Sequence, residues 1–89
     1  MLTKIRLIVR DYSPICSKMT KEFMKFSKDF PNVKFIVESI NNNYSAVIDI
    51  RRNGCYNLPC VIKTNELGID YCKPIKNIKD LKKFLNEEK

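Results

Sequence analysis

The stretch RDYSPICSKMTKEFMKF, residues 10–26, decides how this chain folds. Ser13 is a favoured helix N-cap, and Pro14, with no N–H to leave unpaired, suits the first helical position. Beyond them Ile15, Met19, Phe23, Phe26 and Phe30 recur at intervals of three and four, with Lys18, Lys21, Lys25 and Lys28 between them. One apolar stripe opposed by a basic face is the pattern of an amphipathic helix lying on a core. Pro31 and Asn32 end it. Cys16 then falls in the first turn of that helix, close behind a serine cap.

Outward from this helix the periods change. In KIRLIVR (4–10), Ile5, Leu7 and Val9 share one face and Ile8 lies on the other, as in a strand buried on both sides towards its end. VKFIVESI (33–40) is a second strand, rich in β-branched residues. NNNYSAVIDIRRNG (41–54) reads as a short helix capped by Asn42 or Asn43, with Ala46, Val47 and Ile50 inward and Gly54 at its stop. LPCVIKTNELGIDY (58–71) reads as a hairpin: a strand over 60–64, a turn over NELG with Gly68 at positive φ, and a strand over 69–72. Asn77 caps a last helix with Ile78, Leu81, Phe84 and Leu85 on one side. The order is β-α-β-α-β-β-α. A right-handed crossover makes the first two strands parallel, and the hairpin adds an antiparallel pair. The expectation is an α/β fold, a four-stranded mixed sheet with helices on both faces.

The totals fit one such domain over 1–89: 89 residues, 44% of them apolar, with nine aromatics and two glycines. Apolar runs of four residues or fewer cannot cross a bilayer, which takes about 20. MLTKIRLIVR lacks the core and cleavage site of a signal peptide, so a cytoplasmic, monomeric protein is expected, with its four cysteines reduced. Those cysteines form no C-x-x-C, and histidine is absent, so a structural zinc site would need all four thiols to converge from scattered positions. The net charge of +7 comes largely from 13 lysines spread over both ends and the middle, which argues against a nucleic-acid surface.

With order and motifs together, the chain resembles the thioredoxin/glutaredoxin superfamily over nearly its whole length, and most of all a small glutaredoxin-like protein. YSPICSK stands where that family carries C-x-x-C, after the first strand and at the start of the first long helix, and Pro14 matches the proline common inside the glutaredoxin motif. RRNGCYNLPCVIK matches the segment that bears the family's cis-proline at the head of the third strand, with Pro59 the candidate. The resemblance implies thiol–disulfide exchange with a thiol- or disulfide-containing protein or peptide. It implies a groove in which the Leu58 backbone pairs with an extended substrate beside Pro59, flanked by Tyr12. Asn77 and Ile78 match where glutaredoxins receive a glutathione carboxylate, but the Gly-Gly pair and acidic residue that grip glutathione are only partly matched, by Asp80. No cofactor is therefore expected, with glutathione the one the resemblance leaves open.

The departure from the family lies at its first cysteine. That residue is the nucleophile, its thiol acidified below about 8.5 by the helix N-terminus, and the second cysteine resolves the mixed disulfide. Here the first position is Ser13 and only Cys16, the resolving position, remains. A serine hydroxyl without an activating base is a very poor nucleophile for sulfur. Several readings stay open: a redox-inactive binding module capped by Ser13; a Cys→Ser form of a working dithiol enzyme; or a reactive Cys16 whose thiolate takes a hydrogen bond from Ser13, as in peroxiredoxins, with basic Arg10 near in sequence. Cys55 and Cys60 read as core filler, with Cys60 able to approach Cys16, and Cys72 as structural or partly exposed.

Overall fold

The computed structural model describes residues 2–87; Met1, Glu88 and Lys89, at the ends of the expected domain, lie outside the described residues. Strand β1 (Leu2–Val9) leads into helix α1 (Pro14–Phe26) and strand β2 (Lys34–Ser39), then helix α2 (Tyr44–Arg52), strands β3 (Cys60–Asn65) and β4 (Asp70–Pro74), and helix α3 (Ile78–Asn86). The sheet runs β2-β1-β3-β4. β1 pairs parallel with β2 and antiparallel with β3, and β3 pairs antiparallel with β4. The expected β-α-β-α-β-β-α order and mixed sheet are both present.

Strand alternation builds two cores from one sheet. Ile5, Leu7, Val9 and Val61 face α1 and α3, where they meet Met19, Phe23, Leu81, Phe84 and Leu85. Ile8, Cys60 and Ile62 face the other way, onto Ala46 and Ile50 of α2. Phe23 of α1 stacks at a tilt on Phe35 of β2, ring centroids 5.0 Å apart, which ties the crossover helix to both parallel strands.

Several boundaries differ from the sequence reading. α1 stops at Phe26 rather than reaching Phe30, because the Ser27 hydroxyl donates to the Met24 carbonyl and a 3₁₀ turn over Ser27–Asp29 tightens the last stretch. β1 begins two residues earlier than expected and ends at Val9, and β4 continues to Pro74. Within α1, Ile15 leaves the expected core stripe: it is exposed, while Cys16 beside it in the first turn is buried. Val47 is likewise only half-buried, while Ala46 and Ile50 carry the inner face of α2.

Two buried cations escaped the sequence pattern. On the β1–α1–α3 side, Lys63 is fully buried, with Nζ 4.1 Å from the Phe84 ring centroid and donating to the Glu87 carbonyl at 2.8 Å. On the α2 side, Arg6 of β1 donates to Asp49 of α2 at 2.6 Å and to Glu38 of β2 at 3.3 Å, and approaches Asp70 of β4 at 3.9 Å. Burial opposes its charge, but the Asp49 hydrogen bond and the three carboxylates more than compensate, holding its pKa above the ordinary value. Arg6 thus bridges three strands and a helix, and removing it leaves three carboxylates facing one another. Arg6→Ala is expected to lower stability by about 3 kcal/mol, read as a lower urea midpoint with the slope unchanged.

Candidate functional site

The end of the sheet where β1 finishes and β3 begins gathers the residues singled out above. Ile8 pairs with Cys60, so the segment leaving β1, residues 10–13, and the segment entering β3, Leu58 and Pro59, emerge side by side. Asp11 fixes the first segment: its N–H donates to Asn41 Oδ1 at 3.0 Å, and its carboxylate accepts from the Ser39 hydroxyl at 2.7 Å. Tyr12 follows with φ of 62° and its side chain wholly exposed. Left-handed backbone is costly for a tyrosine and is held here by the anchored segments on either side.

Ser13 is the N-cap of α1, its Oγ accepting from the Cys16 N–H at 3.4 Å, and Pro14 takes the first helical position, exposed. Cys16 is turned inward, 3% exposed, and its Sγ accepts from the Arg10 N–H at 3.5 Å. The serine hydroxyl therefore stands at the helix mouth while the thiol lies beneath it.

Across the strand end, the Leu58–Pro59 peptide is cis, Leu58 is half-buried and Pro59 buried. The Pro59 carbonyl accepts from the Ile75 N–H at 2.9 Å, tying the head of β3 to the chain leaving β4. Exposed Tyr56 stands two residues before Leu58. On the other flank, α1 and α3 leave a groove of about 370 Å³, lined among others by Ile15, Lys18, Lys76, Asn77, Ile78 and Lys79. The exposed Ile15 is thus a groove residue. Asn77 caps α3, with Oδ1 accepting from the Asp80 N–H at 2.8 Å, and the Asp80 carboxylate reaches back to the Lys76 N–H at 3.4 Å. Asp80 and Asn77 hold the helix start, and the lysines make its surroundings positive.

The cysteines depart furthest from expectation. Cys55 and Cys72, expected as reduced and separate, form a disulfide with Cα atoms 6.4 Å apart. Cys55 is brought there by the left-handed turn at Gly54 and by its own N–H, which donates to the Ile50 carbonyl at 2.8 Å. Cys72 pairs with Ile62 across β3 and β4, so it shares the α2-facing side with Cys60, two residues before Ile62. Cys16 and Cys60 are free and buried. Burial pushes the Cys60 thiol up to about 12, against a smaller lowering by Arg6, and charge on Cys16 pushes the same way as burial. Cys55 and Cys72 stand 17 positions apart in sequence, and neither spacing nor motif signals the pairing.

No protein-family model matches the chain, and no curated protein matches its sequence. Solved structures do match. Thioredoxin O2 of Arabidopsis thaliana superposes with a TM-score of 0.75 at 14% identity, covering 94% of this chain and 72% of its own. The thioredoxin of Fasciola hepatica gives 0.75 at 13%, covering 92% and 76%. Thioredoxin 1 of Thermosipho africanus gives 0.62 at 17%, covering 93% and 94%. The fold is thioredoxin-like. Among the described residues no helix is long and apolar enough to cross a membrane.

Two outcomes follow from this geometry. Burial pushes the Cys60 pKa from an ordinary 9.0 up to about 12 on folding, so in between the unfolded chain binds fewer protons than the folded one. Stability should fall as pH rises through that window, and the fall should be shallower in Cys60→Ala, as urea midpoints at stepped alkaline pH would show. Separately, Tyr12→Gly relieves the left-handed backbone without losing buried area. It should leave stability unchanged or raised by up to about 1 kcal/mol, measured by thermal unfolding.

Proposed function

We propose that this chain belongs functionally to the thiol–disulfide exchange class, as a glutaredoxin-like protein of the thioredoxin fold whose nucleophile position is held by Ser13. In this reading it engages thiol- or disulfide-containing segments of a protein or peptide at the sheet end but does not complete standard exchange. One observation carries the reading: the residue at the helix mouth is a hydroxyl that caps the Cys16 N–H, and the remaining thiol is buried under it.

The chemistry supports this assignment step by step. Exchange begins with a thiolate attacking a disulfide sulfur, and the resolving thiol acts only after a mixed disulfide exists. Cys16 occupies the second role, and the backbone N–H of Arg10 positions its sulfur for it. The Ser13 hydroxyl caps the helix by accepting from the Cys16 N–H, while the Cys16 sulfur takes its hydrogen bond from the Arg10 N–H. Tyr12 and Tyr56 offer exposed aromatic surface on either side of the strand end, and Leu58 with Pro59 forms the rim on which an extended segment would lie. The groove beside Asn77, bordered by Lys18, Lys76 and Lys79, suits a carboxylate carried by that segment, glutathione among the candidates. A dithiol enzyme with serine substituted for its first cysteine would show the same geometry. Both readings place the nucleophile at position 13.

Ser13→Cys is the direct test. The new thiol would sit at the N-terminus of a 13-residue helix, where the helix dipole favours thiolate. The variant should reduce a protein disulfide in the presence of a small dithiol, with turnover rising from background in the native chain, and Cys16→Ser added to it should trap a mixed disulfide. An inactive Ser13→Cys that retains native far-UV and near-UV circular dichroism would sink the reading.

A further inference from the structure

On the α2 side of the sheet, the face opposite Cys16, lies a second concentration of sulfur. The Sγ atoms of Cys55, Cys60 and Cys72 all lie within 4.8 Å of one another. Three separate constraints bring them there. Cys60 opens β3, Cys72 lies on β4 opposite Ile62, and Cys55 is held by its hydrogen bond to the Ile50 carbonyl at the end of α2. Ile8, Ala46, Ile50, Ile62 and Leu58 pack around the group. Cys55 and Cys60 are buried, and Cys72, on the edge strand, is the half-buried member. The proposed exchange chemistry uses none of these thiols.

We propose that, once the Cys55–Cys72 disulfide is reduced, Cys55, Cys60 and Cys72 form a three-thiolate site for one thiophilic d¹⁰ divalent cation, with zinc its biological occupant and cadmium its probe. Reduction by a dithiol breaks the S–S bond, yields two thiols and leaves the reductant as a cyclic disulfide. Metal entry then releases the three thiol protons and forms three metal–sulfur bonds, with no change in oxidation state.

The dimensions and charges fit. Metal–sulfur bonds of about 2.3 Å set ligand sulfurs about 4 Å apart; all three sulfurs lie within 4.8 Å of one another, and reduction frees the bonded Cys55 and Cys72 sulfurs to part to that spacing. Sulfur donors select soft cations over magnesium or calcium. The chain contains no histidine, and Cys16 is not part of the group, so the protein supplies three ligands. The fourth position falls to water from the side of Cys72. Three thiolates on a divalent ion carry one net negative charge. The site is also gated: the disulfide consumes two of its ligands, so the oxidised chain has no metal site.

The experiment is a cadmium titration of the full chain, monitored by thiolate-to-metal charge-transfer absorption and by native mass spectrometry. The reduced chain should bind one cadmium, and the chain with its disulfide intact none. Cys55→Ser, Cys60→Ser and Cys72→Ser should each lose at least about 10-fold in affinity, since even outer-shell partners of a metal are worth that much; Cys16→Ser should bind as the native chain does. Alkylation of the native reduced chain supplies a readout independent of the variants: cadmium should protect Cys55, Cys60 and Cys72 together, resolved by peptide mass. Binding that persists unchanged in Cys60→Ser, that survives in the oxidised chain, or that leaves any of the three thiols unprotected overturns the site. The site stands or falls independently of the assignment at Ser13.

Discussion

β1 is hydrogen-bonded along both edges and buried on both faces, and the placement of every other element follows from that. Its parallel pairing with β2 requires a crossover, which α1 supplies, and its antiparallel pairing with β3 requires the chain to return through α2. Because Ile5, Leu7 and Val9 face one way and Ile8 the other, each face demands its own helical cover: α1 and α3 on one side, α2 on the other. Arg6 is the cost of that burial, a charge inside the sheet, offset by carboxylates contributed from β2, α2 and β4. Burying a charge without such partners would be far more expensive.

The same strand places the candidate site. β1 ends where β3 begins, so the loop into α1 and the loop into β3 meet at one edge of the molecule. Loop residues there are set by anchors rather than by regular structure: Asp11 on Asn41 and Ser39, Pro59 on Ile75. This leaves Tyr12 exposed in left-handed backbone and Ser13 at the helix mouth.

Chemistry on the two faces of the sheet is divided. At the α1 side a single buried thiol lies under a serine cap; at the α2 side three sulfurs meet in an apolar setting. Burial pushes the Cys60 thiol up to about 12.

Much of this was legible in the residues themselves. Alternation in KIRLIVR, the three-and-four spacing after Ser13, the Asn caps and the glycine turns determine the element order, because local propensity and burial period are properties of short segments. The place of Ser13 and Pro59 was readable for the same reason: motif and element boundary coincide there. Residues that act through partners distant in sequence were not readable. Arg6 and Lys63 look like surface charges until strand pairing buries them, and Cys55, Cys60 and Cys72 look like unrelated small residues until the β3–β4 register and the turn at Gly54 bring them together. Only the tertiary structure decided those, since convergence of side chains from separate elements is set by packing and register and by no local signal.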